Sequence, residues 1–339
     1  MRILYVASRK YDYLQDLTYA GLAQEYGKAR VLDWPRRAGF HLPLKRYPIG
    51  LGYVAGLPPL LQHPATFDAE ALVLASCKPD AVERYLRLLP SWPDDQPTAW
   101  IDGGDREELG GDLDRLGRRD LLDRLASARP FDAVLKRELI EGDGEAYDRA
   151  RLLPGGWPAL EPRRVVPFPL AVRSDLMPAP AKDLAYDVTF WASTSHEDRR
   201  AAFRMLAGRY DCDANGSTPH RTLRDFARKG DAYLRELSRA RISLNVRGGG
   251  WDTLRLWEML AMGTAVLSQR LPLVIPQPPT DGAELAWVRE DLADLHERIG
   301  YFLTHEEERA AMARAGRAWV LAHHDHRARA QQLVAALRA

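Results

Sequence analysis

The stretch from Arg241 to Ser268 constrains the fold of this chain most, and it reads RISLNVRGGGWDTLRLWEMLAMGTAVLS. Residues 242–246 predict a short buried strand because apolar and β-branched side chains stand close together. Three consecutive glycines follow, then residues 254–262, which predict a helix, and residues 264–267, which predict a second strand. The order strand, glycine turn, helix, strand is typical of a parallel α/β sheet.

The turn before this helix has the features of an anion site. Asp252 or Thr253 suits the N-cap, and Gly263 suits the C-terminal end. The N-terminus of a helix presents unpaired N–H groups and a partial positive charge, and glycines let a phosphate approach the backbone. Arg247 and Arg255 add a positive charge on either side of the turn. We therefore predict that the diphosphate of a nucleotide binds here.

Glu258 extends the predicted site toward a sugar. It follows Arg255 by three residues and shares a helix face with it, so its carboxylate can accept hydrogen bonds from sugar hydroxyls. With Gly249 and Gly250, these residues predict a site for a nucleoside-diphosphate sugar. The alternative is an ordinary glycine-rich turn with an Arg–Glu pair on the surface.

This block resembles the donor-binding segment of group 1 GT-B glycosyltransferases, most closely the CgeB-like branch, which is similar to spore maturation proteins. The likeness covers roughly the last third of the chain. It is carried by Tyr233, Ser238-Arg239-Ala240, Ile242-Ser243-Leu244-Asn245, the glycines, Arg255, Trp257-Glu258, Ala261, Gly263, Val266-Leu267, Tyr301-Phe302-Leu303, Arg309, Ala315-Gly316 and residues 323–329.

The resemblance implies an α/β protein of the GT-B class, with two Rossmann-like domains that face a central cleft. Residues 1–175 would bind the acceptor and residues 176–322 the nucleotide sugar, and residues 323–339 would cross back to the first domain. The implied activity is that of a hexosyltransferase-class glycosyltransferase, which moves a sugar from a nucleoside-diphosphate donor to an unidentified small-molecule or glycan acceptor.

The resemblance also assigns one residue role and removes another. Glu258 matches the second of two family glutamates, which contacts the donor ribose. The first would fall at Gly250 and is absent, so retention or inversion at the sugar stays open. Because of this gap, a catalytically silent binding or scaffold protein and a sugar-nucleotide hydrolase or epimerase remain alternatives.

A second turn is a candidate for donor binding. Ser193, Thr194 and Arg199 follow a predicted strand over residues 186–192 and lie at the start of a helix. Hydroxyls and backbone N–H groups at such a turn can hold a phosphate. The alternative is an N-cap followed by acidic residues in the first turn.

The first half offers a candidate base. The predicted strand 98–101 runs into Asp102-Gly103-Gly104-Asp105. An acceptor hydroxyl loses its proton as the glycosidic bond forms, and a carboxylate can take that proton. We predict this role for Asp105, with Asp102 as the second candidate, although Asp105 equally suits a helix N-cap. No DxD-type partner stands beside Asp102, so we expect no metal.

Other segments of the first half are candidates for ligand contacts. The segment 34–64 is too long for an ordinary connection, and we predict that it shapes the acceptor site, with Phe40 and His41 as possible contacts. Arg9 and Tyr11 face the acceptor or are solvated loop residues. The pair Lys136-Arg137 meets donor phosphates across the cleft or covers the sheet edge. We predict that His220-Arg221 borders the nucleotide base of the donor.

Composition excludes several classes of function. The chain has 48 Lys and Arg against 47 Asp and Glu, which argues against wholesale nucleic-acid binding. Cys77 and Cys212 form no CxxC pattern, so we expect neither a disulfide scaffold nor a metal site but a reducing cytoplasm. His323, His324 and His326 fit no common metal motif. The N-terminal residues lack the apolar length and the small-residue cleavage site of a signal peptide, so we expect none there, and no run of ~20 apolar residues would span a membrane.

Overall fold

The computed structural model of the protein describes residues 1–56, 63–154, 160–213, 215–217 and 230–339. These residues form two sheets, of six and four strands, in which all paired strands are parallel. Parallel strands are joined by crossovers that place helices against the sheet, so both of its faces are buried. The buried hydrophobic residues accordingly form separate clusters on the two faces of the first sheet.

The first sheet has the strand order β2-β1-β3-β4-β5-β6. Its strands are β1 (Ile3–Val6), β2 (Val31–Trp34), β3 (Ala71–Leu74), β4 (Thr98–Asp102), β5 (Ala133–Lys136) and β6 (Val165–Pro167). The helices of this half are α1 (Tyr13–Leu22), α2 (Ala38–His41), α3 (Pro79–Leu88), α4 (Gly111–Arg115), α5 (Arg119–Ala126) and α6 (Arg149–Leu152).

The second sheet has the order β10-β9-β8-β7. Its strands are β7 (Tyr186–Thr189), β8 (Ala240–Asn245), β9 (Ala265–Gln269) and β10 (Ala286–Val288). The helices of this half are α7 (Glu197–Leu206), α8 (Asp231–Leu237), α9 (Leu254–Ala261), α10 (Leu295–Thr304), α11 (Glu306–His323) and α12 (His326–Arg338).

The last helix, α12, packs against α1 of the first half. A Cβ on Gly21 of α1 would overlap the carbonyl oxygen of His326, so the two helices approach closely at this glycine. Arg329 of α12 is fully buried and donates hydrogen bonds to the carbonyl oxygens of Pro169, at 2.7 Å, and Leu170, at 3.1 Å. The C-terminal helix therefore joins the two halves of the chain.

Residue periodicity also predicts a helix over 113–128, a strand over 210–214 and a helix over 223–240; the first two differ in the structure, and the third is described only in part. The helix predicted over 113–128 is divided into α4 and α5, because Gly117 between them has a φ of 70°. The strand predicted over 210–214 is wrong: residues 211–213 form a 3₁₀ turn, and the Asp211 carboxylate accepts the N–H groups of Asp187 and Val188 at the start of β7. Of the helix predicted over 223–240, α8 lies within the described residues, whereas His220-Arg221 lies outside them.

Candidate functional site

A cavity of about 260 Å³ lies between the two halves of the molecule. The first half contributes Tyr13 and Pro48 to its lining. From the second half come Ser193, Arg199, Tyr233, Thr253, Leu254, Arg255 and Glu258. The tertiary structure thus brings the turn after β7 together with the N-terminal turns of α9, and five of the predicted donor residues line one cavity.

Two buried arginines dominate the charge of this cavity. Arg199 is 5% exposed and Arg255 is 6% exposed. Arg199 donates hydrogen bonds to the hydroxyls of Ser193, at 3.1 Å, and Ser195, at 3.2 Å, and to the carbonyl oxygen of Val246, at 3.2 Å. These partners are uncharged, and the Nε of Arg255 is buried without a hydrogen-bond partner in the part of the chain that the structure describes.

The ionisation of the two guanidinium groups reflects this environment. Burial, together with the charge of Arg255 and against that of Asp105, lowers the pKa of Arg199 to about 9. Burial also lowers the pKa of Arg255. A buried cation without an ion-pair partner is costly, and two such cations repel each other. An anion in the cavity would therefore be stabilised by both.

Glu258 forms the other polar wall of the cavity. It is 2% exposed, and its carboxylate accepts hydrogen bonds from the hydroxyls of Tyr233, at 2.8 Å, and Tyr47. Burial raises its pKa, while the two tyrosines and Arg255 oppose that shift. The tyrosines fix the orientation of the carboxylate.

The long segment 34–64 reaches the cavity through Tyr47 and Pro48, not through the predicted contacts Phe40 and His41. Phe40 is fully buried and stacks on Tyr19, with ring centroids 3.9 Å apart. The Nε2 of His41 lies 2.9 Å from the carboxylate of Asp33. Both side chains therefore belong to the packing of the first domain.

Three other predicted donor residues lie outside the cavity lining. The Arg247 guanidinium lies 3.9 Å above the Trp251 ring, a cation–π contact. Asp252 is 1% exposed, and its carboxylate accepts the N–H of Leu170, at 2.5 Å, and the indole N–H of Trp257, at 2.7 Å. Its negative charge is thus used in a contact between the domains. Thr194 is exposed on the surface.

Thr253, not Asp252, is the N-cap of α9. Its hydroxyl oxygen accepts the N–H of Leu256 at 3.4 Å, and its hydroxyl donates to the side chain of Asn245 at 2.7 Å. This pair joins the end of β8 to the start of α9. The N-terminus of α9 therefore opens onto the cavity with a neutral cap.

The three glycines before α9 provide space for charged side chains. None of them has a φ in the left-handed region. A Cβ added at Gly248 would lie 2.5 Å from Arg199 Nη2, and one added at Gly249 would lie 2.6 Å from Asp105 Oδ2. A Cβ added at Gly250 would overlap Glu138 Oε1. The groups that approach these glycines in this structure are side chains, and the approach of a phosphate stays a prediction.

Arg137, at the end of β5, links the first domain to this turn. Its guanidinium lies 2.9 Å from Asp105, 3.1 Å from Glu138 and 3.6 Å from the carboxylate of Asp252. It also donates to the carbonyl oxygen of Asp252 at 2.6 Å. Arg137 is therefore engaged by three carboxylates and is not among the residues that line the cavity. A contact of Lys136-Arg137 with donor phosphates stays a prediction.

Glu138 is a buried carboxylate at the glycine turn that the sequence did not single out. It is fully buried, and its carboxylate accepts the backbone N–H groups of Trp251, at 2.9 Å, and Asp252, at 3.1 Å. Burial raises its pKa to about 7, against the opposing charge of Arg137. A charged triplet directly after a buried strand was the available signal, since parallel strands end at the ligand-binding edge of a sheet.

The two candidate bases occupy different environments. Asp102 is 1% exposed, and it pairs with Lys136 Nζ at 2.8 Å and accepts the N–H of Gly110 at 2.9 Å. This internal ion pair argues against Asp102 as a base. Asp105 has a side chain that is 47% exposed, lies against Gly249 and does not cap a helix, because Gly110 occupies the N-cap position of α4.

The histidines near the C-terminus have structural partners. His324 is buried, its Nδ1 lies 2.6 Å from Arg329, and burial lowers its pKa to about 3. The Nε2 of His326 lies 2.7 Å from the side-chain oxygen of Gln24. Within the described residues, no cluster of His, Cys, Asp and Glu has the arrangement of a metal site.

None of the described helices combines the length and apolar character needed to cross a lipid bilayer.

Comparisons with known proteins agree with this architecture. Residues 178–335 match the family model described as Glycosyl transferase-like. Anabaena Alr3699/HepE in complex with UDP and glucose is 10% identical over 100% of both chains, with a TM-score of 0.60. An alpha-glucosyltransferase with UDP-glucose and DNA is 11% identical over 100% of this chain and 99% of that one, with a TM-score of 0.58.

A glycosyltransferase from Rickettsia africae is 9% identical, with 99% of this chain and 97% of that one covered and a TM-score of 0.52. No curated protein matches the sequence. With two parallel α/β sheets and similarity to glycosyltransferase structures along its length, the chain has the GT-B fold, and its residues 178–335 match the Glycosyl transferase-like family model.

Proposed function

We propose that this protein is a glycosyltransferase that binds a nucleoside-diphosphate sugar in the cavity between its domains. The observation that carries the proposal is the pair of buried guanidinium groups of Arg199 and Arg255, neither of which forms a salt bridge with a carboxylate among the described residues. A diphosphate supplies the negative charge that these groups lack. The UDP and UDP-glucose complexes of similar structures support uridine diphosphate as the first ligand to test.

Each lining residue has a role in this proposal. Arg199, Arg255 and the N-terminus of α9 at Thr253 stabilise the charge that develops on the leaving diphosphate. Glu258, oriented by Tyr47 and Tyr233, accepts hydrogen bonds from the ribose. We propose that the arginines, without a metal ion, neutralise the diphosphate.

Asp105 is the proposed base. It belongs to the first domain, is partly exposed and lies against Gly249 of the donor domain. As the acceptor oxygen forms its bond to the anomeric carbon and the bond to the diphosphate breaks, the hydroxyl proton passes to the Asp105 carboxylate. From the sequence pattern around Glu258, we also propose that the protein belongs to the CgeB-like branch and uses a hexose donor. A cytoplasmic location is part of the proposal, and the free, buried Cys77 and Cys212 support it.

Isothermal titration calorimetry with UDP and UDP-glucose tests the donor site. Arg199→Met and Arg255→Met should each weaken binding by about tenfold or more, because a hydrogen bond to a charged group contributes ~1.5–3 kcal/mol. Arg247→Met is the matched control, since this arginine lies over Trp251 outside the cavity, and its affinity should stay close to that of the wild type.

Unchanged affinity in both cavity variants, or a wild-type protein that binds no nucleoside diphosphate, would contradict the donor assignment. Asp105→Asn separates the remaining possibilities. A transferase with this base keeps donor affinity and loses turnover. A hydrolase or epimerase is recognised by its products, and a silent binding protein by the absence of any product from a panel of donors and acceptors.

A further inference from the structure

The exposed apolar side chains of the first domain are concentrated in one loop. Leu42 is 51% exposed, Leu44 is 62% exposed and Ile49 is 42% exposed. Single exposed apolar residues are common, but three within eight residues form a patch, and such patches mark interaction surfaces. We name residues 42–49 the basic–apolar loop.

This loop belongs to a segment without negative charge. Residues 34–67 contain no Asp or Glu, although the chain as a whole carries 47 acidic residues. Lys45 and Arg46 lie between the exposed aliphatic residues, are themselves exposed and form no ion pair within the described part of the chain. The loop therefore combines aliphatic side chains with cations that form no direct ion pair, although Asp175 and Asp231 line the same pocket as Lys45 and Arg46.

A neighbouring loop adds further cations. Arg37 donates a hydrogen bond to the carbonyl oxygen of Lys10 at 2.8 Å, and the Tyr11 hydroxyl donates to the carbonyl oxygen of Pro48 at 2.5 Å. These contacts place the exposed Arg9 and Lys10 next to the basic–apolar loop. The Asp80 carboxylate accepts the backbone N–H of Arg9 at 2.9 Å and is paired with Arg84, so it forms no ion pair with Arg9 or Lys10.

The basic–apolar loop is fixed at the mouth of the donor cavity. Tyr47 is buried and donates to Glu258, and Pro48 lines the cavity. The backbone N–H of Gly50 donates to the carbonyl oxygen of Arg46 at 3.1 Å, and Leu51 is fully buried. The inner residues of the loop are thus anchored, while its outer residues project to solvent.

We propose that the basic–apolar loop docks on the surface of a lipid bilayer that contains anionic lipids. Aliphatic side chains that insert at the headgroup level and cations that contact anionic headgroups are the two components of interfacial membrane binding. A nucleic acid would use the cations but not Leu42, Leu44 and Ile49, so the aliphatic residues favour the bilayer. The docking is independent of the proposed function, and together with it would place the donor cavity next to lipid-borne acceptors.

Vesicle co-sedimentation of the full-length protein tests this proposal. The probes are vesicles of phosphatidylcholine alone and of phosphatidylcholine and phosphatidylglycerol in equal parts. The wild type should bind the anionic vesicles, and more weakly at high salt, because the cationic contribution is screened. Lys45→Glu with Arg46→Glu should weaken this binding about tenfold or more, since each cation near an anionic surface contributes about fivefold.

The triple variant Leu42→Ser, Leu44→Ser, Ile49→Ser should also lose vesicle binding, whereas Leu116→Ser with Leu184→Ser, which changes exposed leucines elsewhere, should bind like the wild type. Titration with UDP on each docking variant reports whether the cavity is intact, so failure of docking and failure of the donor site are separate results. A wild type that does not bind anionic vesicles, or a triple variant that binds them normally, overturns the proposal. Salt-sensitive DNA binding that the triple variant retains, without vesicle binding, assigns the loop to nucleic acid instead.

Discussion

Gly250 shows how a single position defines the contact between the domains. Its backbone is not left-handed, yet the place that a Cβ would occupy is taken by Oε1 of Glu138. The oxygen is held there by the backbone N–H of Asp252 and by Arg137. Glycine is thus required at position 250 because any side chain, even a methyl group, would collide with the Glu138 carboxylate.

We expect Gly250→Ala to destabilise the protein by about 1–3 kcal/mol, because the new methyl group displaces a buried carboxylate from its donors. Urea unfolding measures this change. Gly300→Ala is the control: Gly300 lies within α10 with no heavy atom near its Cβ position, so alanine there should be neutral or stabilising by about 0.5–1 kcal/mol. A Gly250→Ala protein as stable as the wild type would show that Glu138 can move without cost.

At the scale of elements, α9 depends on its first turn. Thr253 supplies both the cap to the N–H of Leu256 and a hydrogen bond to Asn245 of β8. The helix is eight residues long and has no acidic side chain in its first turn, so the cap is its local polar stabilisation there.

We expect Thr253→Ala to lower the free energy of unfolding by about 1 kcal/mol, the usual effect of removing an N-cap hydroxyl. Thr253→Ser keeps the hydroxyl and should restore most of that loss. Equilibrium urea unfolding of the two variants distinguishes the cap from the lost methyl group. Equal destabilisation by serine and alanine would assign the effect to packing.

At the scale of the whole molecule, Glu138 makes the joining of the domains sensitive to pH. Its pKa is raised from 4.5 to about 7 in the folded protein, first by burial and then by the charge of Asp252, against Arg137. Between these values the folded state binds the proton more tightly than the unfolded chain. This group therefore makes the free energy of unfolding fall as pH rises from about 4.5 to about 7.

Glu138→Gln cannot titrate, so we expect the variant to lack this part of the pH dependence. Relative to the wild type, its stability should be more favourable at pH 8 than at pH 5. Urea unfolding at both values measures the difference. Glu141→Gln changes an exposed carboxylate three residues away and should keep the slope of the wild type. A Glu138→Gln protein with that same slope would contradict the shifted pKa.

The order of elements around the three glycines was predicted from the sequence because it depends on local patterns. The run 241–268 gave the strand, turn, helix and strand that the structure contains, and the spacing of Arg255 and Glu258 placed both on the face that lines the cavity. Local patterns failed where a single residue or a distant partner decides the outcome. Gly117 divides the helix predicted over 113–128, and the contacts of Asp211 to β7 replace a predicted strand.

The sequence by itself determined the parallel α/β class, the glycine turn and the charged residues around it, since these follow from periodicity and from residue type. Only the tertiary structure decided which of those charges face the cavity. Arg199 and Arg255 form no salt bridge within the described residues, although the carboxylates of Asp105 and Glu258 lie close enough to act on them electrostatically, whereas Arg137 and Asp252 pair directly across the domains. Such pairings join residues more than a hundred positions apart, and a local pattern carries no information about which distant side chain will neutralise a charge.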